Sequence, residues 1–196
     1  LPASEAALER TRLLGSAAGA GIIDRVLAME AERPTPTDRR LLEYELDDAF
    51  RFRRADGSTT VVPLRAKTDR IDLLADGTFR VIDYKSRVVP EFKRSVQLQI
   101  YTSAVMQQLG RDRRSARLPA EAAYLSMEGD RPVKALRPGR GESLDDLLAA
   151  AEDRMLAVID DARAGHFPPR PSPRSACGSC PFGAVCRKAF VEAEDE

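Results

Sequence analysis

The sequence lacks an excess of charge of either sign, a long apolar run and a dispersed set of cysteines. Lys plus Arg and Asp plus Glu each total 31 in 196 residues, so the formal net charge is zero. This balance removes the usual signature of a strongly basic nucleic-acid-binding protein without excluding one, because binding depends on how the charges cluster. No apolar run approaches the roughly 18 residues of a membrane span, and we expect no membrane partner.

Cysteine is scarce, and its three copies, Cys177, Cys180 and Cys186, lie within ten residues of one another. An odd, clustered set argues against a disulfide framework and favours metal or cluster ligation in a reducing compartment, so we expect a cytoplasmic protein. Zinc or an iron–sulfur cluster normally takes four ligands. The fourth must come from sequence upstream of this chain, from a residue other than cysteine, or from an exogenous thiol or solvent.

The elements that the sequence does indicate are those of an α/β domain, with a central mixed sheet flanked by helices. Helical periodicity covers about residues 20–31, 93–109 and 143–164, and strand patterns cover 41–54, 59–65, the surroundings of Asp69 and Asp83, 121–127 and 132–137. We expect one domain over 1–196. Its core covers about 12–165, a Pro-rich approach and cysteine cluster cover 166–188, and an acidic tail covers 189–196.

The most informative stretch is a predicted hairpin over residues 70–85, with the acid Asp69 just upstream. Residues i and i+2 of a strand point to one face, so Asp83 and Lys85 project together. A carboxylate that can hold a hard cation, beside a fixed ammonium, is what phosphodiester hydrolysis needs. The pattern Asp-x-Lys is common, however, and by itself is more typical of an ordinary half-exposed strand than of a catalytic site.

The register of this hairpin decides which acid lies beside Asp83. A three-residue turn over 75–77 places Asp69 directly opposite Asp83. A two-residue Asp76-Gly77 loop instead places Asp72 on the Asp83 face and turns Asp69 away. The sequence alone leaves both registers open.

Further candidate residues lie before and after the hairpin. Gln97 and Tyr101 fall one turn apart on a predicted helix, where an amide and a phenol can hold a phosphate or a base. A third acid should complete a metal site, and Glu43 or Glu45 can supply it. We take Glu45 as the candidate, although the sequence does not choose between them.

Four ordered motifs over about residues 12–188 resemble the RecB-type nuclease branch of the PD-(D/E)xK superfamily. The similarity is closest to its iron–sulfur subgroup, which includes AddB-like helicase–nuclease C-terminal domains and the CRISPR adaptation nucleases. The motifs here are Asp69-Arg70-Ile71-Asp72, Val81-Ile82-Asp83-Tyr84-Lys85-Ser86, Gln97-Leu98-Gln99-Ile100-Tyr101 and the set Cys177, Cys180 and Cys186.

The resemblance implies Mg²⁺- or Mn²⁺-dependent cleavage of single-stranded DNA ends, in a DNA repair system with a helicase motor or partner subunit. It implies that Asp69 is the first metal acid, and with it the three-residue turn. It also implies a [4Fe-4S] cluster on the cysteines, with zinc as the alternative. The family usually has a metal-binding His in its first helix, and Asp24 takes that place here. The rival interpretation is a nuclease-dead DNA-binding or structural subunit.

Overall fold

A computed structural model describes residues 2–32, 35–85, 95–111, 116–126, 133–167, 177–178 and 180–186. Its elements are α1 (Ala3–Leu14), α2 (Ile22–Ala31), β1 (Thr37–Arg53), β2 (Thr59–Leu74), β3 (Phe79–Lys85), α3 (Gln97–Gly110), β4 (Pro119–Ser126), β5 (Val133–Ala135) and α4 (Leu144–Arg163). Most of the predicted Pro-rich approach to the cysteines and the whole acidic tail lie outside the described residues.

The strands form one five-stranded sheet in the order β1-β2-β3-β4-β5. All neighbouring pairs are antiparallel except β3 and β4, which are parallel. A parallel pair needs a crossover connection, and α3 lies in it, burying Leu98, Ala104 and Val105. The predicted mixed sheet flanked by helices is therefore confirmed. None of the helices in the described part of the chain is long and apolar enough to cross a membrane.

The last helix follows its sequence signals closely. The Ser143 hydroxyl accepts the Asp146 N–H at 3.1 Å, and the Asp146 carboxylate accepts the Ser143 N–H at 2.8 Å. This reciprocal capping satisfies two donors at the start of α4. Gly165 follows the helix with φ of 75°, a conformation that costs glycine little. The predicted helix over 143–164 is thus confirmed.

The first two strands are longer than the sequence pattern predicts. The predicted strand over 59–65 and the strand around Asp69 are one continuous strand, β2, and β1 begins at Thr37. Glu43 and Glu45 lie within β1. The sequence concealed this length because exposed charges such as Arg65 and Lys67 interrupt the apolar pattern of β2.

A backbone irregularity at Glu43 changes which face of β1 meets the core. Glu43 has φ of 49°, in the left-handed region that costs a non-glycine residue roughly 1–2 kcal/mol. Leu41 packs against the core, and the next side chains to do so are Tyr44 and Leu46. The step from Leu41 to Tyr44 breaks the two-residue alternation of a regular strand. Glu43 lies opposite Asp69, because the flanking residues of the two strands are paired.

The hairpin between β2 and β3 has the register that the resemblance implies. Leu73 pairs with Phe79 and Arg70 with Ile82, so the loop covers the three residues 75–77. Gly77 occupies the left-handed region with φ of 82°, which a three-residue hairpin of this kind requires. Continuing the register places Asp69 opposite Asp83. The alternative two-residue loop, which would bring Asp72 to the Asp83 face, is wrong.

A buried ion network fastens α2 to the back of the sheet. Arg70 is only 1% exposed and donates to Asp72 Oδ1 at 2.8 Å and Oδ2 at 2.5 Å. The same guanidinium donates to both carboxylate oxygens of Glu30 on α2, at 2.8 and 2.7 Å. Burial raises the pKa of Asp72, but the hydrogen bonds from Arg70 and Arg40 outweigh it and hold the pKa below its usual value. The network therefore keeps Asp72 ionised.

We expect Asp72→Asn to lower the free energy of unfolding by about 3 kcal/mol, because it leaves the buried Arg70 guanidinium with only one of its two charged partners, Glu30. Urea unfolding monitored by circular dichroism measures this change. Asp47→Asn is the matched control. Asp47 lies on β1, the strand beside β2, in an exposed pair 3.6 Å from Arg65, and its loss should cost less than about 0.5 kcal/mol. Equal stabilities of the two variants would contradict the structural role of the network.

Candidate active site

The C-terminal end of β3 carries a buried carboxylate beside an ammonium. Asp83 is 3% exposed, and Lys85 Nζ lies 2.6 Å from its Oδ2. This contact is an ion pair whose geometry is not that of a hydrogen bond, and no other described residue donates a hydrogen bond to Oδ2. A buried oxygen in this state retains lone pairs with which it can bind a cation.

Asp69 lies at the same end of β3 as Asp83, because the pairing of β2 with β3 ends just before it. The last paired residues are Arg70 and Ile82, and beyond them Asp69 Oδ2 accepts the backbone N–H of Tyr84 at 2.7 Å. Burial raises the pKa of Asp83 above its ordinary value, and the negative charge of Asp69 also raises it, whereas the Lys85 ammonium acts in the opposite direction. A divalent cation would relieve the repulsion between the two carboxylates.

The first turn of α3 completes a polar chain that starts at the ammonium. Lys85 Nζ donates to Gln97 Oε1 at 3.1 Å, and Gln97 Nε2 donates to the Tyr101 hydroxyl at 3.3 Å. The structure thus brings together Asp69, Asp83, Lys85, Gln97 and Tyr101, all predicted from the sequence. These groups combine two carboxylates, one cation and two neutral hydrogen-bonding side chains in one place.

Tyr124 is not among the residues predicted from the sequence, and it lies beside Asp83 in the parallel register of β3 and β4. Its ring centroid is 5.3 Å from Lys85 Nζ, and its hydroxyl lies 3.2 Å from Ser95 Oγ. The sequence offers one indication of its role, which is the position of a tyrosine within an otherwise largely apolar predicted strand. That signal does not identify the neighbour of Tyr124, because the register of a parallel pair is set by tertiary packing rather than by a turn.

The other predicted metal acids are engaged elsewhere. Asp24 accepts the Gly21 N–H at 3.0 Å and so caps its own helix. Glu43 pairs with Lys67 at 2.5 Å, and Glu45 is exposed opposite Lys67 in the register of β1 and β2. Over the described ranges no three acidic, His or Cys side chains form a group that could hold a metal. That Glu45 and Asp24 join Asp69 and Asp83 in one ligand set therefore stays a prediction, to which these contacts give no support.

The two remaining carboxylates still suit a hard divalent cation. Asp69 and Asp83 offer only oxygen ligands, which are the ligands that Mg²⁺ and Mn²⁺ prefer. The buried Asp83 Oδ2, which accepts no hydrogen bond from the described residues, fits such a cation. The donor set is thus compatible with Mg²⁺ or Mn²⁺, with Asp69 and Asp83 as its protein ligands.

The three cysteines are free in the described residues. The Cys177 carbonyl accepts the Cys180 N–H at 3.4 Å in a short turn, and the Cys186 N–H donates to the Phe182 carbonyl at 2.9 Å. Among the residues that the structure describes, the cysteines do not form a metal-binding group. The geometry therefore gives no support to the predicted [4Fe-4S] cluster or to its zinc alternative.

Comparison with known proteins identifies the family. No curated protein matches the chain. A solved structure, the crystal structure of SSO0001, is 18% identical with a TM-score of 0.35, over 87% of this chain and 68% of that one. A structural likeness this weak carries no argument. The model of the PD-(D/E)XK nuclease superfamily, in contrast, matches residues 4–187. The chain belongs to the PD-(D/E)XK nuclease superfamily.

Proposed function

We propose that the chain is a metal-dependent DNA nuclease that hydrolyses phosphodiester bonds. Proteins of this superfamily are generally nucleases and typically use Mg²⁺ or Mn²⁺. The observation that carries the proposal is the ion pair of the buried Asp83 with Lys85, with Asp69 beside it and a hydrogen-bonded chain leading to Tyr101. These groups supply the charges that phosphodiester hydrolysis needs.

Each side chain has a role that follows from its contacts. Asp69 and Asp83 would hold Mg²⁺ or Mn²⁺, which when bound polarises a phosphate and lowers the pKa of a water molecule. Lys85 orients the attacking water or stabilises charge on the phosphate oxygens. Gln97 fixes the ammonium through its carbonyl oxygen. Tyr101 accepts a hydrogen bond from Gln97, which leaves its own hydroxyl proton available for a phosphate oxygen.

The finer assignment rests on the motif resemblance. It makes the chain a RecB-type exonuclease of the iron–sulfur subgroup that acts on single-stranded DNA ends, within a helicase–nuclease repair system. Cys177, Cys180 and Cys186 would then hold a [4Fe-4S] cluster with a fourth ligand from outside this chain. The resemblance of four ordered motifs, rather than the geometry of the cysteines, supports this assignment.

A second candidate function is a DNA-binding subunit that has lost cleavage. One observation favours it, because Asp24, which takes the place of the usual metal-binding His, caps its own helix instead. Such a subunit would keep the fold and would still bind DNA, since neither property needs a complete set of metal ligands. The intact Asp83–Lys85 pair opposes this candidate.

Asp83→Asn separates the two candidates. We expect the wild-type protein to cleave end-labelled single-stranded DNA in Mn²⁺, and the variant to lose more than about a hundredfold of this rate, because it removes a cation-binding charge worth several kcal/mol. Asp56→Asn, in the turn between β1 and β2, is the matched control and should cleave at the wild-type rate. DNA binding without Mn²⁺-dependent cleavage in the wild-type protein would favour the second candidate.

Tyr101→Phe tests the proposed phosphate contact. The change keeps the ring and removes the hydroxyl, so we expect KM for DNA to rise about tenfold, the value of a hydrogen bond to a charged group. Steady-state cleavage kinetics at several DNA concentrations measure KM and kcat separately. Tyr44→Phe is the control, because Tyr44 packs against the core on β1. An unchanged KM in Tyr101→Phe would remove this residue from the proposed site.

A further inference from the structure

Tyr124 is a buried phenol that lies inside the candidate site. It is 0% exposed and pairs with Asp83 across the parallel β3–β4 ladder, while Ser126 pairs with Lys85. Paired residues of neighbouring strands project to the same face of a sheet. Tyr124 therefore stands on the face that carries Asp83 and Lys85, under the first turn of α3.

The ring of Tyr124 lies directly beside the Lys85 ammonium. The Nζ atom lies 2.6 Å from Asp83 Oδ2, 3.1 Å from Gln97 Oε1 and 5.3 Å from the ring centroid. A separation below about 6 Å from a ring face is attractive for a cation, and the attraction strengthens as water is excluded. Because the lysine stem is long and flexible, a third contact restricts where its charge can lie.

The hydroxyl of Tyr124 connects the same residue to the start of α3. It lies 3.2 Å from Ser95 Oγ, and Ser95 Oγ accepts the backbone N–H of Gln97 at 3.4 Å. Burial, and to a lesser extent the charge of Asp83, raises the pKa of Tyr124, so the phenol keeps its proton. Ring and hydroxyl thus act on the two groups that meet in the Lys85–Gln97 hydrogen bond.

We propose that Tyr124 is a positioning residue for Lys85: its ring holds the ammonium against Asp83, and its hydroxyl makes a smaller contribution, through Ser95, to the helix turn that carries Gln97. The inference rests on the proposed nuclease function for its effect on rate, although the contact between the ring and Lys85 can be tested separately. Tyr124 touches no reacting atom in this scheme and acts on the site through Lys85 and Ser95.

Two substitutions divide the ring from the hydroxyl. Tyr124→Phe keeps the ring, and we expect its kcat for DNA cleavage to stay within about threefold of the wild-type value. Tyr124→Leu keeps an apolar side chain but removes the ring, and we expect kcat to fall about tenfold while KM changes less than twofold. A purely structural role would instead lower the stability of Tyr124→Leu without lowering the kcat of its folded fraction.

A spectroscopic readout tests the contact without any nuclease activity. The chain has five lysines, and reductive ¹³C-methylation gives each of them a methyl resonance. The Lys85 resonance is identified by its loss in Lys85→Arg. We expect the tyrosine ring current to shift the Lys85 resonance upfield in the wild-type protein. This shift should persist in Tyr124→Phe and vanish in Tyr124→Leu. The wild-type shift tests the contact even when Tyr124→Leu does not fold.

The outcomes distinguish the two proposals. Absence of the upfield shift in the wild-type protein, or wild-type kcat in folded Tyr124→Leu, would overturn the positioning role while leaving the nuclease proposal intact. A ring-dependent shift in a protein that cleaves no DNA would overturn the nuclease proposal and leave the contact between Tyr124 and Lys85 established. A tenfold loss of kcat together with loss of the shift supports both.

Discussion

The burial of the Asp83 charge is the constraint on which the arrangement of the site depends. An ionised carboxylate that is 3% exposed loses most of its hydration, and the loss must be offset by neighbouring charges or dipoles. Lys85 offsets part of it, but Asp69 acts in the opposite direction. The ammonium is in turn held by Gln97 and by the Tyr124 ring. The compensation is incomplete in the protein alone, which is the electrostatic condition that favours uptake of a cation.

The two faces of β3 are coupled through Tyr84, the residue between Asp83 and Lys85. Its backbone N–H donates to Asp69 on one side, and its hydroxyl accepts from Arg70 on the other. Arg70 is itself held by Asp72 and Glu30 in the buried network. Because alternate residues of a strand face opposite ways, fixing Tyr84 from behind also fixes the direction in which Asp83 and Lys85 project. The ion network thus bears on the site geometry as well as on stability.

The sequence predicted those parts of the fold and site that depend on local periodicity. The common face of Asp83 and Lys85 follows from the strand period, and the approach of Gln97 to Tyr101 follows from the helix period. The sequence left the hairpin register open because Asp76 and Gly77 suit two loop lengths, and the observed pairing of Leu73 with Phe79 belongs to the longer one. The sequence does not predict the left-handed backbone conformation of Glu43, since glutamate rarely adopts it. The neighbour of Tyr124 and the engagement of Asp24 in a helix cap depend on contacts that one-dimensional patterns do not contain.

The shortage of a third acid is less damaging to a catalytic role than the ligand count suggests. Mg²⁺ retains several waters and is commonly bound through one or two carboxylates together with substrate phosphates. Glu43 is paired with Lys67, which compensates its charge. With Asp69 and Asp83 as the two protein ligands, the remaining oxygens would come from water and from a substrate phosphate. Cation affinity in such a site rises when the phosphate is present, which couples metal binding to the arrival of substrate.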